Sequence, residues 1–193
     1  MKLILASQSP RRQELLKLFG IPFTVQVSDV DETMDAGKPA YDEVARVSRA
    51  KAEAACREAD DVVIAADTIV VCNGEVLGKP KDEADAYRML ALLSGVGHQV
   101  MTGMTVLRGQ EAITCTEVTD IHFRELSDGE IRNYIASGEP MDKAGAYGIQ
   151  GGAALFAEKM VGDYYNVMGL PVCRLGMILR TLAPEFWLRR DGE

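Results

Sequence analysis

A chain of 193 residues with 21 Lys and Arg against 29 Asp and Glu carries a formal net charge of −8 at pH 7, the wrong sign for a general nucleic-acid binder, whose footprint is a basic patch. Its 47% hydrophobic and 26% charged content suits one globular domain with a substantial core, and no run approaches the ~18 apolar residues of a membrane span. Four cysteines without a C-x-x-C pair and only two histidines leave no zinc spacing, so the thiols read as free in a reducing compartment and any metal is expected on oxygen ligands, as Mg²⁺ or Mn²⁺.

The first element is a buried strand, Lys2 to Ala6. Arg11 and Arg12 follow at once, and the segment lacks a signal peptide's length and cleavage region; a cytoplasmic protein is expected. A helix over PRRQELLKLFG comes next, with Pro10 suited to its first turn, Leu15, Leu16, Leu18 and Phe19 as its apolar face and Gly20 as its stop. Ser7, Ser9, Arg11 and Arg12 cluster where strand gives way to helix. Helix N-termini present free N–H groups and partial positive charge, and arginine adds bidentate bonds to phosphate oxygens. The cluster therefore reads either as a phosphate cradle or as an N-cap serine followed by solvated arginines.

Phe23 to Val27 is a second strand, and an acidic loop bearing Glu32 follows it. The segment AYDEVARVSRAKAEAACREA has helical spacing at Val44, Val47, Ala50 and Ala54, with Lys51 among alternating charges. The wholly apolar run Val62 to Ala66 then ends at Asp67. A carboxylate there is costly unless it is paired or holds a metal, and open α/β sheets place ligands at the carboxyl ends of strands; the alternative is a turn capped by Asp67 with Thr68. Asn73-Gly74 marks a hairpin, and Lys79 lies between a glycine and a proline. Taken singly, Glu32, Lys51 and Lys79 read as surface residues.

A helix over KDEADAYRMLALLSG precedes two long strands, HQVMTGMTVLR and EAITCTEVTDIHFREL, which meet at Gly109-Gln110. Ser127 with Glu130 forms a capping box for the next helix. In KAGAYGIQGG the glycines let backbone approach a ligand closely; Gln150 offers a paired donor and acceptor to a base edge, and Tyr147 a ring to stack or pack. The last helix is VCRLGMILRTL, and the polar tail RRDGE is expected to fray. Parallel pairing in the first half and antiparallel ribbons in the middle make the fold class mixed α/β.

The ordered set LASQSPRR, DET, RAKA, AADTIVV, GKP, LSGVGHQVMTG, DKAGAYGIQG and NVMGLP, running from Leu5 to Pro171, resembles the Maf-like nucleotide pyrophosphatase family. The resemblance implies a single domain over residues 1–193, with an elongated mixed sheet, flanking helices and two lobes around a cleft, as in the inosine triphosphate pyrophosphatases. It implies hydrolysis of a nucleoside triphosphate to the monophosphate and pyrophosphate with a divalent metal, Mg²⁺ or Mn²⁺. Asp67 aligns with the proton acceptor. Ser7, Ser9, Arg12, Lys51 and Lys79 align with phosphate-binding residues, and Glu32 with an acidic residue of metal binding or catalysis, so that Glu32 and Asp67 are the expected metal ligands. Arg11, Thr68 and Gln150 fall at specificity positions. The wording KAGAYGIQG resembles the branch acting on dTTP, UTP and modified pyrimidine relatives, and a homodimer is implied. The alternatives are a 7-methyl-GTP or purine triphosphate pyrophosphatase, or a nucleotide-binding regulator of septum formation with little turnover. The expected partner is a small nucleotide, with no nucleic acid and no membrane.

Overall fold

The computed structural model describes residues 1–27, 29–56 and 58–188. Strands β1 (Leu3–Leu5), β2 (Phe23–Val25), β3 (Val62–Cys72), β4 (Glu75–Leu77), β5 (Gly97–Arg108), β6 (Glu111–Phe123) and β7 (Ala157–Val161) form a seven-stranded sheet. Their order is β2-β1-β3-β5-β6-β7, with β4 paired to β3. The mixed character expected from the sequence is present: β1 is parallel to both β2 and β3, whereas β4 and β7 pair antiparallel with β3 and β6. Leu3–Leu5 and Val62–Ala66 are buried throughout. A parallel strand covered on both faces reads as a continuous apolar run rather than an alternating one.

Helices α1 (Pro10–Lys17), α2 (Ala40–Ala55), α3 (Glu83–Leu93), α4 (Asp128–Ala136), α5 (Tyr164–Met168), α6 (Val172–Leu182) and α7 (Glu185–Leu188) flank the strands. The chain divides into two compact units. The first comprises Met1–Asp67, Thr102–Glu117 and the chain from Gly169 onward; the second comprises Thr68–Met101 and Val118–Met168. Strands β3, β5 and β6 supply residues to both.

In the first unit α2 lies directly on β5. It buries Val44, Val47, Ala52 and Ala55, and burying a Val or Leu side chain is worth about 1.5–3 kcal/mol. Gly103 lies beneath it, where an added Cβ would stand 2.2 Å from the Val44 carbonyl oxygen. The strand has no side chain at the point where the helix backbone rests. Ser48 and Thr105 share a buried 2.9 Å hydrogen bond across the same contact.

The second unit has its own core, built on Val70, Leu77, Leu90, Leu93, Ile121 and Phe123. The capping box is present: the Ser127 hydroxyl accepts from the Glu130 N–H at 3.3 Å, and the Glu130 carboxylate accepts from the Ser127 N–H at 2.9 Å. Several expectations change. The first helix stops at Lys17 and leaves Leu18 exposed, the second strand stops at Val25, the helix expected to run past Arg57 ends at Ala55, the strand expected to reach Leu126 stops at Phe123, and β7 arises in a stretch without apolar alternation, with Glu158, Lys159 and Val161 exposed. Arg57 and the tail RRDGE lie outside the described residues.

Candidate active site

Of the capping reading the N-cap is present, whereas the arginines that follow it are half-buried rather than solvated. Ser9 is the N-cap of α1, its hydroxyl accepting from the Arg12 N–H at 3.5 Å. Ser7 is buried, and its hydroxyl accepts from the Ser9 N–H at 3.2 Å and from Arg12 Nη1 at 3.3 Å. Arg12 Nε donates to the Gly169 carbonyl at 2.7 Å. The arginine is thus oriented from two directions before any ligand arrives. Burial pushes its guanidinium below the ordinary arginine value; Asp67 opposes that shift, Arg11 adds to it, and Glu32 opposes it. Arg11 is half-buried on α1 beside it.

Lys51, on α2, stands 2.7 Å from Asp67 Oδ1 and 2.8 Å from Glu32 Oε1. The carboxylate that ends the apolar run of β3 is therefore paired, as its position demands. Asp67 and Lys51 are 13% and 12% exposed, and Glu32 59%, so the cluster is closed on the sheet side and open at Glu32. The loop carrying Glu32 is fastened to the same helix. Arg46 Nη2 donates to the Thr33 carbonyl at 2.7 Å, and Glu43 Oε2 accepts from the Asp35 N–H at 2.9 Å. The Arg46 guanidinium also donates to Glu43 at 3.0–3.1 Å and holds that carboxyl below the usual range, with the Asp35 N–H adding to the effect. Sequence reading missed Glu43 and Arg46. A Glu–Arg pair three residues apart on a helix looks like any solvated pair; only its burial, with Glu43 at 2% exposure, distinguishes it.

The second unit holds the remaining expected residues. Thr68 follows Asp67 on β3 and is half-buried; Lys79 and Gln150 are exposed on loops. The Gly145 N–H donates to the Gly78 carbonyl at 3.0 Å, which brings the GKP loop and the glycine-rich segment together. Tyr147 is 5% exposed, shares a 2.9 Å hydrogen bond with His98 Nε2 and meets Phe123 edge-to-face at 4.8 Å. Of its two expected roles, packing is the one realised.

The glycines also carry a correction. A Cβ on Gly148 would stand 2.6 Å from Lys143 Cε, and one on Gly151 2.0 Å from Glu139 Oε1. At these positions the close approach is made by side chains of this chain, not by room left for a ligand.

Within the first unit, then, Ser7, Ser9, Arg12, Glu32, Lys51 and Asp67 are joined by hydrogen bonds, ion pairs or direct electrostatic coupling. The arrangement alternates cations with carboxylates around Asp67, which lies within β3 rather than at a strand end or in a turn, and it suits a polyanion and a proton acceptor. Among the described residues no group of three or more His, Cys, Asp or Glu is placed to hold a metal ion. The donors present are the two carboxylates that converge on Lys51. Such a set fits Mg²⁺, which is commonly held by one or two carboxylates and completed by substrate phosphates and water.

A family model described as Maf-like protein matches residues 2–182. A protein of Geotalea uraniireducens named dTTP/UTP pyrophosphatase is 52% identical over 184 residues, covering 94% of this chain and 95% of the relative. One of Symbiobacterium thermophilum with the same name is 53% identical over 180 residues, covering 92% of each. Among solved structures, a HAM1 protein from Coxiella burnetii aligns with a TM-score of 0.52 at 18% identity, covering 94% of this chain and 99% of that one. This last likeness concerns the fold alone, and it agrees with the mixed sheet and flanking helices described above.

Proposed function

The chain belongs to the Maf-like protein family, and on that premise we propose that it hydrolyses dTTP and UTP, with modified pyrimidine relatives, to the nucleoside monophosphate and pyrophosphate. The substrates follow from relatives that share about half their residues with this chain over almost its whole length. The observation that carries the reaction type is the ammonium of Lys51 set between Asp67 and Glu32, with Arg12 electrostatically coupled to both carboxylates.

Cleavage between the α and β phosphates needs an attacking water, a group to take its proton, and cations for the charge that builds on the phosphate oxygens. Asp67 is the proton acceptor: Lys51 holds one of its oxygens and fixes the carboxylate, and the water's proton passes to the other. Arg12 bonds phosphate oxygens from a guanidinium already oriented by Ser7 and Gly169. Ser7, Ser9 and Lys51 contribute to the same task, and the family resemblance assigns Lys79 to phosphate binding as well. Arg11, Thr68 and Gln150 select the base. Glu32 and Asp67 would hold Mg²⁺ or Mn²⁺, which supplies further charge neutralisation on the triphosphate. A homodimer in the cytoplasm completes the reading. Among the described residues no helix is long and apolar enough to cross a membrane.

The test is product analysis with Mg²⁺ or Mn²⁺ and a panel of dTTP, UTP, CTP, 7-methyl-GTP and ITP. Monophosphate and pyrophosphate are expected from dTTP and UTP first. Preference for 7-methyl-GTP or ITP would keep the reaction and overturn the base assignment; binding without cleavage would overturn the enzyme. Asp67→Asn is expected to lower kcat by about 10²–10⁴-fold, the range of a lost general base, and near-normal turnover would remove Asp67 from that role.

A further inference from the structure

Gln150 lies between two backbone amides that lead to one carboxylate. The Gly148 N–H donates to Tyr134 Oη at 3.0 Å, Tyr134 Oη donates to Glu139 Oε1 at 2.9 Å, and the Gly152 N–H donates to Glu139 Oε2 at 3.0 Å. The turn is closed by the Gly151 N–H donating to the Gly148 carbonyl at 3.1 Å. Glu139 is itself anchored, its own carbonyl accepting from Lys143 Nζ at 2.6 Å. Burial holds the Tyr134 phenol above its ordinary value, so it stays a neutral donor. Residues 148–152 bend around the carboxylate so closely that a Cβ at Gly151 would meet Glu139 Oε1 at 2.0 Å.

The chemistry of the base makes this matter. Uracil and thymine present an N3–H donor beside a carbonyl acceptor; cytosine presents the reverse, an N3 acceptor beside an amino donor. A glutamine carboxamide carries one donor side and one acceptor side, and turned over it matches either edge. Discrimination therefore depends on where the backbone places the carboxamide, because that place sets which neighbours its two sides meet.

We infer that Glu139 is a positioning residue for base selection: its carboxylate shapes residues 148–152 and so fixes Gln150 in the place that separates uracil and thymine from cytosine. This rests on the proposed dTTP/UTP reading.

The experiment measures kcat/KM for dTTP and for CTP in the wild type, Glu139→Ala, Gln150→Ala and the double variant. Glu139→Ala is expected to lower the dTTP-to-CTP ratio by about tenfold, within the range that small misplacements cost. Gln150→Ala should do the same, and the double variant should fall no further, because both changes act on one contact. A general loss of structure would lower both substrates together and leave the ratio unmoved. Glu139→Gln, which keeps the volume and one acceptor, should give an intermediate ratio and serves if the alanine variant does not fold. A ratio held within twofold by both Glu139 variants while Gln150→Ala lowers it overturns the inference. A ratio untouched by Gln150→Ala overturns the base-reading role itself, and the inference with it. As an independent check on the geometry, Gly151→Ala should lower activity in the wild type and be tolerated beside Glu139→Ala, where the opposing oxygens are gone. Equal damage in both backgrounds counts against the carboxylate as the shaping group.

Discussion

At Lys51 one ammonium answers two carboxylates that come from different parts of the chain. By residue type alone Lys51 and Glu32 read as surface charges, because their partners lie 16 and 19 positions away along the sequence. Their importance was legible only through the ordered resemblance, whereas Asp67 announced itself by standing at the end of an apolar run. His98 was invisible as a titrating group, since nothing local marks it as 4% exposed. Burial lowers its pKa from 6.5 to about 4, the nearby Val96 backbone opposing and the charge of His122 adding to the depression. The unfolded chain therefore takes up a proton before the folded one does, and the contribution of His98 to stability is complete above pH 6.5 and is lost as the pH falls towards 4. The loss amounts to roughly 3 kcal/mol. Denaturant titrations at pH 4.5 and 7 should show His98→Gln losing less stability on acidification than the wild type does; equal losses would remove His98 as the group responsible.

Among the elements, α4 was the most readable, because its start is set by local chemistry. The Ser127 hydroxyl and the Glu130 carboxylate satisfy N–H groups that the helix itself leaves open. Ser127→Ala should lower the unfolding free energy by about 1 kcal/mol, visible as a lower urea midpoint with an unchanged slope. Strand β7 was not readable, since Ala157–Val161 is recruited by pairing with β6 rather than by a pattern of its own. In the glycine-rich segment, expected to approach a ligand, part of the composition has another cause. Gly148 and Gly151 make way for Lys143 and Glu139, partners that local sequence spacing could not identify.

For the molecule as a whole, a net charge of −8 opposes the approach of any polyanion. On the proposed reading, a triphosphate is held by the few cations that the fold keeps in place, Arg12 and Lys51 among them. A dTTP analogue with a non-hydrolysable bridge between the α and β phosphates, supplied with Mg²⁺ at a hundred times its Kd, should stabilise the protein by about 2.7 kcal/mol and raise Tm by roughly 5 to 10 °C. A Tm that stays unchanged as the analogue is raised into the millimolar range would count against the proposed substrate. The order of strands and helices was largely foreseeable from turn residues and periodicity. The division into two units had no sequence boundary to reveal it, because β3, β5 and β6 serve both without a break in composition.

Gly103 bears on inheritance as well as on packing. Every other amino acid carries a Cβ, so every substitution there brings a carbon to within 2.2 Å of the Val44 carbonyl oxygen. Overpacking against backbone cannot be relieved by turning a side chain. The obstruction falls on the helix that carries Lys51, Glu43 and Arg46. A change of amino acid at Gly103 is thereby exposed to selection on activity, and position 103 offers no tolerated alternative residue through which a lineage could drift.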